Sequence, residues 1–542
     1  MNFNLLWATA LADELARSGV RDAVICPGSR SALLALALAE RLRARTVIDE
    51  RSGAFFALGA AKASGRPVAV LSTSGSAGAH FYPALLEAEA AGVPLIAITA
   101  DRPPELHGWG APQQLDQQRL FGAHAWFADL GLPEPQALPH LRATVARALQ
   151  QRGPSHLNAP FREPLSPVPE PMPNVRDAPA PLHLQARGVP DLREVAAGLS
   201  RRPRGVIVCG PRDGRDELPE AVRELSFALG YAVIADAASG IDDGVAHADL
   251  ILRHESWAKA LQPQSVVRVG GATSSKVLQE WLERAEQTVI VHERGEPVDP
   301  MHRATAVIAG DAPAVCRALA AEARARGPLA ELFAVAERRA RGALEKAFAD
   351  APWGEPLIAR EAALSAELLY VASSMPVRDV DAFAPRCGRV LVNRGLNGID
   401  GIVSSAAGAA SVTGTPTVAL VGDLAMLHDL GGLVAAARLR IPLTVVCVNN
   451  DGGGIFHFLP IAQHTDRFEE LFATPHGLDL SGAAALCGAE HVRVADGRSL
   501  RAALQRAPAG LRVIEARTDR AANVVQHRAL QAAVFAALGD QP

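Results

Sequence analysis

The sequence contains few lysine, cysteine and aromatic residues, and it has no long hydrophobic run. Lysine occurs only four times, and the formal net charge of −4 excludes strong attraction of the whole chain to nucleic acid. The six cysteines form no Cys-x-x-Cys pair, so neither a disulfide framework nor a zinc site is indicated. No apolar run approaches the roughly 20 residues that span a membrane. We therefore expect a cytoplasmic protein without stable membrane insertion and without a nucleic-acid partner.

Apolar residues make up 49% of the 542 residues although aromatic residues contribute only 5%. This composition predicts cores filled by Ala, Val and Leu, as in proteins whose sheets are covered by helices. Short β-rich runs alternate with helical patterns in three blocks, which predicts an α/β fold of three sequential, doubly wound parallel-sheet domains. The expected strands are 22–26, 46–48, 68–72 and 95–99, then 205–209, 231–234, 265–269, 288–291 and 306–309, then 389–393, 417–421, 443–448 and 511–516.

Composition also marks the expected boundaries between these blocks. Residues 1–165 form the first domain, and the proline-rich stretch 166–185 excludes helix and predicts an extended linker. Residues 186–340 form a central domain, which ends in an Ala-, Arg- and Glu-rich helical segment over 312–350. The third domain covers 355–542.

Two neighbouring strands of the third block are expected to end in polar residues. Asp423 follows the strand 417–421, and Asn450 follows the strand 443–448 after one intervening amphipathic helix. Parallel strands open on the same edge of a sheet, where α/β domains bind ligands. Asp423, Asn450 and the carbonyl of Gly452 could then bind Mg²⁺ together with a diphosphate, because Mg²⁺ prefers oxygen ligands. Taken singly, Gly-Asp and Asn-Asn-Asp-Gly are ordinary turns, but their separation favours a joint site.

These motifs resemble those of the thiamine-diphosphate enzymes, in which Gly-Asp is followed some 25 to 30 residues later by Asn-Asn. Most of that superfamily has a second Gly at the position of Leu424. The sequence Gly-Asp-Leu is similar to the motif of the menaquinone-pathway branch. The resemblance implies thiamine diphosphate as cofactor with Mg²⁺ or, alternatively, Mn²⁺. It also implies a set of cofactor-binding residues, namely Glu50, Ile399, Gly422, Asp423, Leu424, Asn450, Gly452, Gly453, Ile455 and Phe456.

Glu50 is the candidate catalytic acid. It lies between the expected strand 46–48 and a helix expected to begin near Ala54, and as an isolated glutamate it is equally typical of an exposed turn. The cofactor requires a carboxylic acid against its aminopyrimidine ring, and a glutamate with a raised pKa suits this role. In the family that this chain resembles, the matching glutamate occupies the same strand–turn–helix segment.

Cationic residues follow other strands of the first block. Arg30 follows the strand 22–26 and opens a helix, where backbone N–H groups favour anions, and Arg102 follows the strand 95–99. Each alone is also typical of a solvated surface arginine. In order along the chain, the segments 26–31, 49–53, 73–76, 82–85, 100–106, 374–378 and 393–401 resemble the 2-succinyl-5-enolpyruvyl-6-hydroxy-3-cyclohexene-1-carboxylate synthase family.

That resemblance implies substrate contacts and a reaction. Ser29, Arg30, Arg102, Gln113 and Lys276 would contact isochorismate, and Ser374, Arg378 and Arg394 would contact 2-oxoglutarate. The enzyme would be a transferase of menaquinone biosynthesis that decarboxylates 2-oxoglutarate and adds the four-carbon unit to isochorismate in a 1,4-addition. A homodimer or homotetramer with active sites between subunits is also implied. Alternatives are another thiamine-dependent 2-oxo acid decarboxylase, an acetohydroxyacid-synthase-like carboligase, or a non-catalytic relative.

Overall fold

A computed structural model of the chain describes residues 2–166, 188–214, 217–296, 298–385 and 388–540. It contains three sheets of six, five and six strands, and every strand pairing between named strands is parallel. The expected α/β fold of three parallel-sheet domains is therefore confirmed. All but one residue of the expected linker 166–185 lies outside the described residues.

The first sheet has the strand order β2-β1-β3-β4-β6-β5. Its strands are β1 (Asp22–Ile25), β2 (Arg43–Thr46), β3 (Val68–Ser72), β4 (Leu95–Asp101), β5 (Trp126–Asp129) and β6 (Ser155–Pro160). Its helices are α1 (Phe3–Arg17), α2 (Ala32–Arg41), α3 (Glu50–Ser64), α4 (Tyr82–Ala91) and α5 (Leu138–Ala148). The central strands β3 and β4 are buried along their whole length, because helices cover both faces of the sheet.

The second sheet has the order β11-β10-β9-β7-β8. Its strands are β7 (Gly205–Cys209), β8 (Ala232–Ala235), β9 (Ser265–Val269), β10 (Gln287–His292) and β11 (Ala306–Ala309). The helices of this part of the chain are α6 (Arg193–Ser200), α7 (Leu218–Leu229), α8 (Ala248–Leu252), α9 (Glu255–Ala260), α10 (Lys276–Leu282), α11 (Ala312–Glu322) and α12 (Leu329–Ala349). The helical segment expected over 312–350 is thus two helices, and Pro328 stands immediately before the second one.

The third sheet has the order β13-β12-β14-β15-β17-β16. Its strands are β12 (Leu368–Val371), β13 (Arg389–Val392), β14 (Thr417–Gly422), β15 (Leu443–Asn449), β16 (Glu490–Val494) and β17 (Leu511–Arg517). Its helices are α13 (Glu355–Ser365), α14 (Met375–Phe383), α15 (Ile402–Thr413), α16 (Asp423–His428), α17 (Leu430–Arg438), α18 (Ser481–Leu486), α19 (Gly497–Gln505) and α20 (Arg520–Leu538).

The first and third domains share one hydrophobic core. Helices α3 and α15 cross so closely that a Cβ on Gly59 would lie 1.9 Å from the carbonyl oxygen of Ser405. A Cβ on Gly408 would lie 1.9 Å from the carbonyl oxygen of Phe56. Buried side chains of both domains accordingly belong to one cluster. The helix that begins with Glu50 is therefore packed against the C-terminal domain of its own chain.

Lys62 joins all three domains. Its ammonium lies 3.7 Å from the Glu87 carboxylate of the first domain and 3.2 Å from the Asp213 carboxylate near the second sheet. It also donates a hydrogen bond of 2.9 Å to the carbonyl oxygen of Val392 in the third sheet. The side chain is only 2% exposed. A buried ammonium requires such partners, because an unpaired charge is costly away from water.

Several sequence expectations differ from the structure in local detail. Strand β2 is centred on 43–46 instead of 46–48, and α3 begins at Glu50 instead of near Ala54, because the Asp49 side chain caps the helix by accepting from the Ser52 N–H. The expected single helix between β14 and β15 is two helices, α16 and α17, which meet at Asp429. No helix in the described ranges is both long and apolar enough to cross a membrane.

Candidate functional site

The polar ends of β14 and β15 lie side by side. Gly422 pairs with Val448 across the two parallel strands, so the next residues along each strand emerge at the same sheet edge. The Asp423 Oδ2 atom accepts hydrogen bonds from the N–H groups of Asn450 at 3.1 Å and Gly452 at 2.9 Å. The structure therefore brings together the three residues that the sequence suggested as metal ligands.

Asp423 is held in place by backbone donors. Its Oδ1 atom accepts from the Leu424 N–H at 2.6 Å, in addition to the two bonds to Oδ2. Burial raises the pKa of Asp423 above its ordinary value, although the Gly452 and Leu424 N–H groups act in the opposite direction. His476 extends the cluster, because its Nε2 atom lies 3.4 Å from Asp423 Oδ2.

The Asn450 side chain is satisfied at one end only. Its Nδ2 atom donates to Glu355 Oε1 at 2.8 Å, whereas its buried Oδ1 atom has no hydrogen-bond partner among the described residues. Burying an oxygen without a hydrogen-bond donor costs about 1–3 kcal/mol of stability. A cation bound to that oxygen would offset this cost. The orphaned oxygen beside a carboxylate thus fits a hard metal ion such as Mg²⁺.

Two glycines shape the loop after β15. Gly452 has φ 135°, and a Cβ there would lie 2.1 Å from the Ala473 carbonyl oxygen. A Cβ on Gly453 would lie 2.8 Å from the ring of Phe456, which follows Ile455 in a short 3₁₀ turn. Only glycine allows this close approach of backbone to backbone. In the described part of the chain no group of three His, Cys, Asp or Glu side chains could hold a metal, so the site depends on mixed oxygen ligands.

Glu50 begins α3 and is half-buried. The next residues contact the end of α16: Arg51 donates to the His428 carbonyl oxygen at 2.9 Å, and Ser52 donates to the Asp429 carboxylate at 3.4 Å. Since α16 begins with Asp423, one short helix connects the Glu50 turn to the candidate metal site of the same chain. Burial, followed by the charge of Glu50, raises the pKa of the neighbouring Cys26 thiol.

Arg30 and Arg102 form one cationic pair. Arg30 is buried and donates to the Phe161 carbonyl oxygen at 2.6 Å, with the Glu163 carboxylate 3.4 Å away. Burial and then the charge of Arg102 lower the pKa of Arg30, which requires the two guanidinium groups to be close. The Nε atoms of both arginines are buried, and within the described ranges neither has a hydrogen-bond partner. Unsatisfied N–H donors of this kind fit a carboxylate ligand.

Ser374, Arg378 and Arg394 form a second cluster. Arg378 donates to the Ser374 carbonyl oxygen at 2.5 Å, and Ser374 has φ 75°, a left-handed backbone conformation that is uncommon for residues other than glycine. Burial lowers the pKa of Arg394, the charge of Asp236 raises it, and the charge of Arg378 lowers it further. The Arg394 Nε atom is also buried, and it has no hydrogen-bond partner in the part of the chain that the structure describes.

The remaining expected site residues differ in how exposed they are. Ser29 and Gln113 are exposed, and Gln113 approaches the loop at Gly75. Ile399 packs partly buried against the shared core. Lys276 begins α10 of the central domain, where its side chain is 88% exposed and lies 3.3 Å from the Glu280 carboxylate. Within one chain, the described contacts do not join Lys276 to the arginine clusters.

The sequence interpretation missed buried residues that support the site loops. Glu87 accepts from the N–H groups of Gly395 at 2.9 Å and Leu396 at 2.8 Å, which holds the loop after β13. Gln117 accepts from the Gly75 N–H at 2.9 Å. Glu355 is only 3% exposed, and burial together with the charge of Asp379 raises its pKa to about 7. None of these residues belongs to a motif whose spacing could have indicated it.

Comparison with known proteins agrees with the architecture. Residues 7–120 match the family described as thiamine pyrophosphate enzyme, N-terminal TPP binding domain. Residues 191–368 match the middle domain of thiamine pyrophosphate enzymes, and residues 380–516 match their C-terminal TPP binding domain. The fold and these matches define a thiamine-diphosphate-dependent enzyme.

Relatives over the full length define the family more narrowly. A protein of Myxococcus xanthus is 52% identical over 100% of this chain and 99% of its own length, and its name is 2-succinyl-5-enolpyruvyl-6-hydroxy-3-cyclohexene-1-carboxylate synthase. Proteins with the same name from Geobacillus kaustophilus (97% of each chain) and Roseiflexus castenholzii (98% of each chain) are 43% and 40% identical. The chain belongs to the 2-succinyl-5-enolpyruvyl-6-hydroxy-3-cyclohexene-1-carboxylate synthase family.

Proposed function

We propose that the enzyme decarboxylates 2-oxoglutarate and joins the remaining four-carbon unit to isochorismate by 1,4-addition. The products are 2-succinyl-5-enolpyruvyl-6-hydroxy-3-cyclohexene-1-carboxylate and CO₂, and the step belongs to menaquinone biosynthesis. The observation that carries this proposal is the 52% identity, over the full chain, to a relative named for this product. Thiamine diphosphate supplies a thiazolium that accepts the electrons released when CO₂ leaves.

In this proposal, Glu50 holds a proton against the ring nitrogen of the aminopyrimidine. Its place at the first position of α3 ties its backbone to a helix that packs in the shared core. A rigid support of this kind holds a proton-transferring group in one geometry. The nearby contact of Arg51 with the His428 carbonyl oxygen further fixes the turn.

Asp423, Asn450 and the Gly452 carbonyl would bind Mg²⁺, or alternatively Mn²⁺, with diphosphate oxygens and water as the other ligands. The orphaned Asn450 Oδ1 atom supports this assignment. Gly422, Leu424, Gly453, Ile455, Phe456 and Ile399 would surround the cofactor. The absence of a Cβ at Gly452 and Gly453 supports a close approach of the loop to phosphate.

Charge complementarity supports two dicarboxylate substrates. Ser29, Arg30, Arg102, Gln113 and Lys276 would contact isochorismate, and Ser374, Arg378 and Arg394 would contact 2-oxoglutarate. The buried Nε atoms of Arg30, Arg102 and Arg394, which have no partner among the residues that the structure describes, supply donors for carboxylate oxygens. The exposed Lys276 would complete this set on assembly, and we propose a homodimer or homotetramer with active sites between subunits.

The reaction is tested by following the loss of isochorismate with 2-oxoglutarate, thiamine diphosphate and Mg²⁺. We expect isochorismate loss and CO₂ release that both require 2-oxoglutarate, with the adduct identified by mass spectrometry. A simple decarboxylase would release CO₂ from 2-oxoglutarate while isochorismate persists. An acetohydroxyacid-synthase-like enzyme would instead use pyruvate. Either result would replace the proposed reaction.

A further inference from the structure

Glu355 is a buried acid behind the candidate metal site. It begins α13 and is 3% exposed. Its Oε1 atom accepts two hydrogen bonds, from Asn450 Nδ2 at 2.8 Å and from Thr518 Oγ1 at 3.2 Å. No motif and no proposed cofactor contact includes this residue, so its contact with Asn450 needs a separate explanation.

We propose that Glu355 is a positioning residue that orients the Asn450 amide, so that the oxygen and not the nitrogen faces the metal ion. The inference rests on the proposed function of Asp423, Asn450 and Gly452 as the metal site. Glu355 itself would not touch the ion, and its effect is carried by the side chain of Asn450.

The argument starts from the two unlike ends of an amide. Nδ2 carries two donors and Oδ1 only accepts, whereas the Oε1 atom of Glu355 is an acceptor. The end of the Asn450 amide that meets Glu355 must therefore be Nδ2. A protonated carboxyl group could also donate its O–H, but Oε1 accepts from both Asn450 Nδ2 and Thr518 Oγ1 and therefore acts as an acceptor here.

When Nδ2 is bound to Glu355, Oδ1 at the other end of the amide faces away from Glu355. That oxygen is buried and accepts from no donor in the described part of the chain, while the backbone N–H of the same residue donates to Asp423 Oδ2. A flipped amide would present an NH₂ group, which cannot coordinate Mg²⁺. Without Glu355, no acceptor would hold the Asn450 amide in one of its two flipped orientations. In part of the molecules the amide oxygen would then face away from the metal ion, which would lose one ligand.

The surrounding backbone limits other ways for the amide to adjust. A Cβ on Gly454 would lie 2.6 Å from Asn450 Nδ2, so the loop itself closes against the amide. Gly354, which precedes Glu355, has similar constraints, since a Cβ there would lie 1.7 Å from the Gln526 side chain. Side chains thus pack closely against the glycine backbone next to both partners of the hydrogen bond, which suits a positioning role.

Metal affinity tests the inference directly. We would titrate Mn²⁺ into the full chain with saturating thiamine diphosphate and measure free Mn²⁺ by electron paramagnetic resonance. Glu355→Met removes the acceptor and should weaken Mn²⁺ binding about 10- to 100-fold. Glu355→Gln retains a carbonyl oxygen that can accept from Asn450 and should bind Mn²⁺ nearly as tightly as the unchanged chain.

Glu361→Met is the matched control. Glu361 is a second buried acid on α13, and it pairs with Arg501 at 2.7 Å, away from Asn450. It should leave Mn²⁺ affinity unchanged even if it lowers thermal stability. If Glu355→Met folds and binds Mn²⁺ like the unchanged chain, the positioning role is overturned.

A reciprocal exchange keeps the test decisive if Glu355→Met does not fold. Asn450→Asp alone places two carboxyl groups against each other and should weaken Mn²⁺ binding. Adding Glu355→Gln supplies an NH₂ donor to the new carboxylate and should restore binding. Equal affinity in the single and double variants would contradict the inference. Failure of the unchanged chain to bind Mn²⁺ with thiamine diphosphate would instead overturn the proposed metal site.

Discussion

Gly59 of α3 lies directly against the backbone of Ser405 in α15, where a Cβ on residue 59 would approach the Ser405 carbonyl oxygen to 1.9 Å. This contact joins the first domain to the third. Gly59→Ala should therefore lower the free energy of unfolding by about 1–3 kcal/mol, because two helix backbones must separate. Chemical denaturation followed by circular dichroism measures the change.

The control for this variant is Gly342→Ala in α12, where nothing lies within 4 Å of the added Cβ. Alanine is the better helix former by about 1 kcal/mol, so this change should be neutral or stabilising. Equal effects of the two substitutions would contradict the importance of the α3–α15 contact.

Glu50→Gln should preserve folding and assembly while turnover falls by about 10²- to 10⁴-fold, because an amide cannot share its proton with the pyrimidine ring. Steady-state turnover and thiamine diphosphate affinity should be measured together, since affinity should change little. Asp49→Asn is the control, because asparagine also caps a helix N-terminus. Near-normal turnover of Glu50→Gln would remove this residue from the proposed mechanism.

Arg394→Met should raise the KM for 2-oxoglutarate by about 10- to 100-fold, which corresponds to the loss of one hydrogen bond to a charged group. The expectation rests on the buried Nε atom of Arg394, for which the described residues provide no hydrogen-bond partner. Initial rates at varied 2-oxoglutarate check it. Arg438→Met, an exposed position on α17, is the matched control. A changed KM for isochorismate alone would assign Arg394 to the other substrate.

Glu337 predicts a specific pH dependence of stability. Burial raises the pKa of Glu337. Its hydrogen bonds with His247, one of them 2.8 Å long and involving the imidazole ring, and with Arg341 outweigh burial and lower the pKa from 4.5 to about 2. The folded chain then binds fewer protons than the unfolded chain below about pH 4.5. The stabilisation, on the order of 3 kcal/mol, is complete above that pH and is lost as pH falls towards 2.

Glu337→Gln should accordingly lower the thermal midpoint at pH 7, and its difference from the unchanged chain should shrink as the pH falls below 4.5. Glu345→Gln, at an exposed position of the same helix, should have little effect at any pH. A pH-independent difference for Glu337→Gln would show that lost packing, and not the carboxylate charge, is responsible.

Most strands were predictable because their sequences are continuously apolar, and most of them are covered on both faces. Strands β3, β7, β9 and β11 have the expected bounds. Four strands were missed, of which β5 and β16 are half-buried edge strands. The buried strand β6 contains polar residues, and the buried strand β12 is four residues long. Edge strands that face solvent lack the apolar run on which the prediction depended. The N-cap at Asp49 was readable from the sequence, yet the expected helix began four residues too late.

The candidate site was predictable only where its parts are close along the sheet. Asp423 and Asn450 follow adjacent parallel strands, so their meeting followed from topology. Glu355 reaches Asn450 across 95 residues of chain, and it comes from a helix outside any recognised motif. Such a contact depends on how helices pack on the sheet, which spacing along the sequence does not specify.

The enclosure of Lys62 by three domains has a practical result for labelling. The other lysines, Lys259, Lys276 and Lys346, are all exposed and lie between residues 255 and 349. A lysine-reactive dye or cross-linker should therefore modify lysines only between residues 255 and 349 and leave Lys62 unmodified. Tandem mass spectrometry of tryptic fragments would map those adducts.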